Sequence, residues 1–195
     1  MTVGDIPGNT KKIIEFIKNA REEHADIVLF PELAITGYPP EDLLLRPTFI
    51  EEARAHLEVI AAECKEIVAI VGFPEQNYDL FNACGVCSNG SVEAIYRKKH
   101  LPNYGVFDEH RYFQSSNELT LLKFNETLVG LTICEDIWYP GPPTSDLSLT
   151  GANVVANISA SPFHIGKGVE REQMLISRAQ DNGCWIIFVN AVGGQ

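Results

Sequence analysis

The sequence predicts an α/β fold in which a mixed sheet carries helices on its outside. Three observations carry this. Short apolar runs such as "DIVLF" (26–30) and "IVAIVGF" (67–73) have the length and composition of buried strands. Amphipathic helical patterns alternate with such runs near both ends of the chain. Two hairpin signals, centred on Asn89-Gly90 and Asn125-Glu126, occupy the middle.

Taken in order, Asn9 is positioned as the N-cap of a helix over "TKKIIEFIKNAREEHA", with Ile13, Ile14, Ile17 and Ala20 on its apolar face. The run 26–30 follows as a strand expected to be buried on both faces. "ITGYPPEDLLLRP" is a Pro/Gly loop. A second helix is expected over 48–65, with Phe49, Ala53, Leu57, Ile60 and Cys64 along one side. After the strand 67–73, "FNACGVC" and "SVEAIYRKKHL" form one hairpin. "LTLLKF" and "TLVGLTIC" form another. "NVVANIS" (153–159) reads as a strand, "VEREQMLISRAQDNG" as a helix and "CWIIFVNA" (184–191) as a strand. No repeat, linker or low-complexity tract interrupts the 195 residues, which predicts one domain over 1–195.

Composition excludes several classes. The formal net charge is −11 and no cluster of five Lys/Arg residues offsets it, which argues against nucleic-acid and anionic-membrane partners. No apolar stretch approaches the ~20 residues of a spanning helix. The N-terminus lacks the layout of a signal peptide, so a cytoplasmic protein is expected. The five cysteines are an odd count, which does not suit a disulfide framework. Cys84 and Cys87 form a CxxC, but in a strand positions three apart face opposite sides, against a shared redox or metal role. The histidines form no short His-x₃-His pair, so no metal site is expected.

Three strand endings carry reactive side chains. "DIVLFPE" delivers Glu32, "AIYRKKH" delivers Lys98 or Lys99, and "TLVGLTIC" delivers Cys134. In α/β folds functional groups gather where strands end. If these converge, the lysine favours the thiolate and Glu32 serves as general base. Lysine and backbone N–H groups hold an oxyanion, and a thioester forms that water hydrolyses. That is amide hydrolysis without a histidine. Against it stand plain readings: a buried hydrophobic Cys134, a turn glutamate and solvated hairpin lysines.

The wording of four segments resolves part of this. "LFPELAITGYPPEDLL", "YRKKHLPNYGVFDEHRYF", "LTICEDIWYP" and "NISASPFHIGK" resemble the nitrilase superfamily of carbon–nitrogen hydrolases. More narrowly, they resemble the glutamine amidotransferase domain of bacterial glutamine-dependent NAD synthetases. The resemblance implies a nitrilase-like α-β-β-α sandwich, here expected to be incomplete at both ends. It implies Glu32, Lys98 and Cys134 as the catalytic set, Lys98 being chosen by its spacing from His100-Leu101. It implies Glu109 as a supporting acid. Tyr104, Phe107, Glu135, Ser161 and Lys167 are implied as the glutamine pocket. The Glu135 N–H would join Lys98 at the oxyanion, and its carboxylate would meet the substrate ammonium. Asp136 receives no role beyond a turn or helix-start carboxylate.

The implied function is hydrolysis of the glutamine side-chain amide, with ammonia passed to an ATP-dependent synthetase domain that makes NAD. That domain's phosphate loop is not in these residues. No cofactor is implied for the amide step; ATP and magnesium belong to the synthetase step. Homo-oligomer formation is a further implication. Competing readings are a free-standing amidase, nitrilase or carbamoylase, an inactive fragment or scaffold, and a papain-like pairing of Cys134 with His100, His110 or His164.

Overall fold

The computed structural model describes residues 1–193. Two four-stranded mixed sheets stack face to face, with helices on both outer surfaces. Periodicity alone predicts one mixed sheet. The strands divide because both hairpins and the last two strands have two apolar faces, one for a helix and one for the opposite sheet.

The first sheet contains β1 (Ile27–Leu29), β2 (Val68–Gln76), β3 (Leu80–Ser88) and β4 (Ser91–Arg97), in that spatial order. The β1–β2 pair is parallel and the other two pairs are antiparallel. Two helices, α1 (Ile6–Glu22) and α2 (Pro47–Glu63), cover its outer face. The second sheet runs β5 (Leu121–Phe124), β6 (Thr127–Ile133), β7 (Val154–Ser159) and β8 (Trp185–Asn190). Its β5–β6 pair is antiparallel and the rest parallel. Its outer side carries α3 (Thr144–Leu149) and α4 (Lys167–Asn182). The last helix begins two residues earlier than its apolar pattern suggests, and α3 is too short to show a period.

Strand alternation sorts the core. Ala69, Val71 and Phe73 of β2 face the helices, whereas Ile70 faces the second sheet. Cys87 lies in the helix-side core and Cys84 in the inter-sheet core, as their spacing predicts. Between the sheets, Ile70, Cys84, Val86 and Tyr96 meet Val129, Leu131, Ile133, Ala156 and Ile158. At one end this seam stays open as an apolar cavity of about 310 Å³, walled by Ile27, Leu29 and Ile70 opposite Val129, Val154 and Ile187. The residues of β1 are only half-buried there, not enclosed on both faces.

The first helix departs from expectation in its cap. Asp5 is the N-cap, and its carboxylate accepts the Gly8 N–H at 3.0 Å. Asn9 sits inside the helix, fully buried, and its amide donates to the Thr2 and Ile35 carbonyls. It staples the N-terminal residues to the loop after Glu32. Asn89 and Gly90 both have positive φ (52° and 86°), the geometry that a two-residue hairpin turn needs. Among the described residues, no helix is long and apolar enough to cross a membrane.

Candidate active site

Glu32 follows the first strand in a turn that lies directly on β2. Gly72 makes this possible: a Cβ there would stand 2.5 Å from both the Leu33 nitrogen and the Pro31 carbonyl oxygen. The Ile35 N–H bonds the Gly72 carbonyl at 3.2 Å, and Leu33 takes a left-handed φ of 48° to complete the turn. The Glu32 carboxylate is thereby carried into the interior, 1% exposed.

Lys98 follows β4, 0% exposed. Its ammonium donates to Glu32 Oε1 at 2.6 Å and to Glu109 Oε1 and Oε2 at 2.8 and 2.9 Å. Lys99, one residue on, points the other way and bonds Asn117 near the surface. The two lysines lie just past the end of β4, and they diverge as the expected alternation requires. Burial would lower the Lys98 pKa, but the carboxylates of Glu109 and Glu32 outweigh it and hold the ammonium charged.

Cys134 ends β6 in a short 3₁₀ turn, Cys134–Ile137, with φ of 44°. A left-handed non-glycine residue at a strand end is strained, and such strain gathers at functional turns. Burial first, then the Glu32 carboxylate, push the thiol well above its ordinary range; Lys98 pulls it back without offsetting them. The sequence reading expects the lysine to favour a thiolate. The structure differs because burial, and after it the Glu32 charge, outweigh the pull of Lys98. A neutral resting thiol needs a base that takes its proton as it attacks.

Residues without a motif signal complete the arrangement. Asn82, fully buried on β3, donates to Glu32 Oε1 at 2.8 Å and to Glu109 Oε2 at 3.3 Å, bridging the two acids. The Ala160 N–H donates to Glu32 Oε2 at 3.0 Å, so the second sheet also fixes the glutamate. Tyr38 donates to Glu109 Oε1 at 3.1 Å. Burial and the Glu32 charge raise the Glu109 pKa to about 7, against the opposing pull of Lys98. A cavity of about 280 Å³ has Tyr38, Phe107, Glu109 and Phe113 in its wall. A lone asparagine inside an apolar strand was the available sequence signal for Asn82.

The remaining expected residues fall into two groups. Tyr104 donates to both oxygens of Glu135, at 2.9 and 3.0 Å, and packs edge-on against Phe107 with ring centroids 5.5 Å apart. Ser161 is held by its backbone, donating to and accepting from the Asn190 amide at 2.9 and 3.1 Å. Lys167 opens α4 and lies 3.9 Å from the Trp138 ring centroid, with Glu170 at 3.4 Å. Arg178, further along α4, donates to the Ile137 and Trp138 carbonyls at 3.0 Å each and so ties the helix to the cysteine turn. The histidines stand otherwise: His100 stacks on Tyr139 and meets the Pro142 carbonyl, while His110 and His164 are exposed.

A buried Glu–Lys–Glu group beside a strained cysteine, seated between two helix-covered sheets, defines a class of hydrolase. The carbon–nitrogen hydrolase family model matches residues 1–195, and the chain belongs to that family. Within it, the chain is similar to the glutamine-dependent NAD(+) synthetase of Aquifex aeolicus, 44% identical over all of this chain and 34% of the relative. A solved glutamine-dependent NAD+ synthetase from Acinetobacter baumannii superposes with a TM-score of 0.95 at 38% identity, covering 99% of this chain and 37% of that one. An amidase from Nesterenkonia sp., 24% identical over 98% of this chain and 73% of its own, shares the fold at a TM-score of 0.85. The chain spans about a third of the length of the synthetases it matches.

Proposed function

We propose that this chain hydrolyses the side-chain amide of glutamine through a thioester on Cys134. The ammonia then serves an ATP-dependent synthetase region of the same polypeptide, which amidates nicotinate adenine dinucleotide to NAD. The observation that carries the reading is the Lys98 ammonium held by Glu32 and Glu109 in the same buried site as the Cys134 thiol. Similarity to the glutamine-dependent synthetases supports the choice of amide.

The residues divide the work. Glu32 removes the Cys134 proton as sulfur attacks the amide carbon. Lys98 and the Glu135 N–H receive the oxyanion. Glu32 returns the proton to the leaving nitrogen, ammonia departs and a thioester remains. Glu32 then activates water against the thioester, releasing glutamate and restoring the thiol. Glu109 keeps Lys98 charged and aimed. Glu135, steadied by Tyr104, accepts the substrate α-ammonium, with Phe107 alongside. Ser161 and Lys167 hold the polar end, Lys167 facing the α-carboxylate. The amide step runs on side chains and backbone alone, whereas ATP and magnesium belong to amidation. Dependence on ATP fits a cytoplasmic reaction.

Comparative turnover tests the reading. Glutamine should be hydrolysed faster than simple aliphatic amides, nitriles or N-carbamoyl amino acids, and Cys134→Ala should abolish it. Faster turnover of a nitrile or carbamoyl substrate overturns the assignment in favour of a free-standing amidase activity.

A further inference from the structure

We propose that Asp136 is a positioning residue that sets Lys98 against Cys134 across the two sheets. Its carboxylate is 0% exposed and accepts four hydrogen bonds. Oδ1 takes the backbone N–H groups of Lys99 at 3.1 Å and His100 at 2.8 Å. Oδ2 takes the Ile133 N–H at 2.9 Å and the Tyr96 hydroxyl at 2.8 Å.

The four donors come from two places. Tyr96, Lys99 and His100 flank Lys98 on β4 and its extension in the first sheet. Ile133 immediately precedes Cys134 at the end of β6 in the second sheet. One carboxylate thus grips the peptides on both sides of the inter-sheet seam, one residue from the ammonium and one from the sulfur. The Ile133 bond also closes the turn in which Cys134 holds its left-handed φ. The Lys98 peptide is otherwise tied within its own neighbourhood, donating to the Asn82 carbonyl at 2.8 Å and accepting from Ser116 at 3.1 Å.

The chemistry requires an acid at this position. Three of the four partners are backbone N–H groups, which can only donate. A carboxylate has lone pairs for all of them. Asparagine has one acceptor oxygen and would turn an NH₂ group toward Ile133 or toward the Lys99 and His100 pair. Either choice sets donor against donor in a buried site. The expected result is a shift of the cysteine turn relative to the lysine, and misplacement near 1 Å costs about 100-fold in rate.

The kinetic arm of the test rests on the amide-hydrolysis reading above; the labelling arm does not. In the intact protein, Asp136→Asn should lower kcat for glutamine about 100-fold while KM stays within about threefold. Alkylation of Cys134 by iodoacetamide should slow by about tenfold or more, with a cooperative melt retained. Tyr96→Phe removes one donor of four and should lower kcat several-fold at unchanged KM. A folded Asp136→Asn with wild-type kcat and alkylation rate overturns the proposal. If Asp136→Asn does not fold, an unchanged kcat in Tyr96→Phe overturns it. Wild-type protein that is alkylated at Cys134 but does not turn over glutamine sinks the function reading alone, and the slowed alkylation of Asp136→Asn then decides this one.

Discussion

Lys98 donates to both carboxylate oxygens of Glu109, at 2.8 and 2.9 Å, inside a site where neither side chain is more than 6% exposed. The pair shares its pocket with Glu32, so two acids face one ammonium. Burial, with the Glu32 charge added to it, lifts Glu109 to about 7. Its folded pKa lies above the ordinary value of 4.5, so the folded protein binds the proton more tightly than the unfolded chain. The stability this confers is full below about pH 4.5 and is lost as pH rises through about 7. Urea denaturation of the wild type and Glu109→Gln should show the wild type losing ground over that interval, by a few kcal/mol at most. A difference between the two that does not change with pH contradicts this account.

The mechanism proposed above assigns the thiol proton to Glu32, since Glu109, the other acid of the site, is engaged by Lys98 and Tyr38. Glu32→Gln keeps an acceptor for Lys98 and Asn82, turns its NH₂ toward the Ala160 N–H, and cannot take the thiol proton. We expect glutamine turnover to fall roughly 10³-fold or more while Cys134 remains in place. The same variant separates this mechanism from a cysteine–histidine pair, which would keep most activity. The histidines named in that alternative already have other surroundings.

Tyr104 touches Glu135 and not the reacting group. Tyr104→Phe should raise KM for glutamine about tenfold and change kcat less, because binding shared by the ground and transition states is loosened. Glu135→Ala should act in the same direction and more strongly. Initial-rate kinetics over a wide glutamine range would separate the two parameters, and a pure kcat effect would remove Glu135 from the binding role.

Gly72 supports the site through what it lacks. Gly72→Ala would push a methyl group into the backbone of Pro31–Leu33. The expected cost is roughly 1–3 kcal/mol of stability. Turnover should fall by more than the unfolded fraction explains, since the displaced atoms carry Glu32. Active-site titration alongside a melt measures both.

Much of this was legible in the residues. Alternation allowed only one of Lys98 and Lys99 to face the site, the family spacing to His100-Leu101 picked Lys98, and the same period of two placed Cys84 and Cys87 on opposite faces. Other features were hidden for physical reasons. Asn9 has the chemistry of a cap, yet the structure uses that amide for a long-range bond to Ile35, which no local pattern encodes. Asn82 matters through partners 27 to 50 residues away, and three of the four donors to Asp136 lie 36 to 40 residues away. The division into two sheets is likewise a long-range choice, since each apolar strand fits either a helix or a facing sheet.

Glu32 and Lys98 ride on one sheet and Cys134 on the other. The Cys134 thiol is therefore a gauge of how the halves of the molecule come together. A chain with each layer formed but the layers apart would keep its secondary structure and have no chemistry. Selective capture of Cys134 by a glutamine-like electrophile should count the molecules in which the seam has closed, making one sulfur atom a sensor for the last step of assembly.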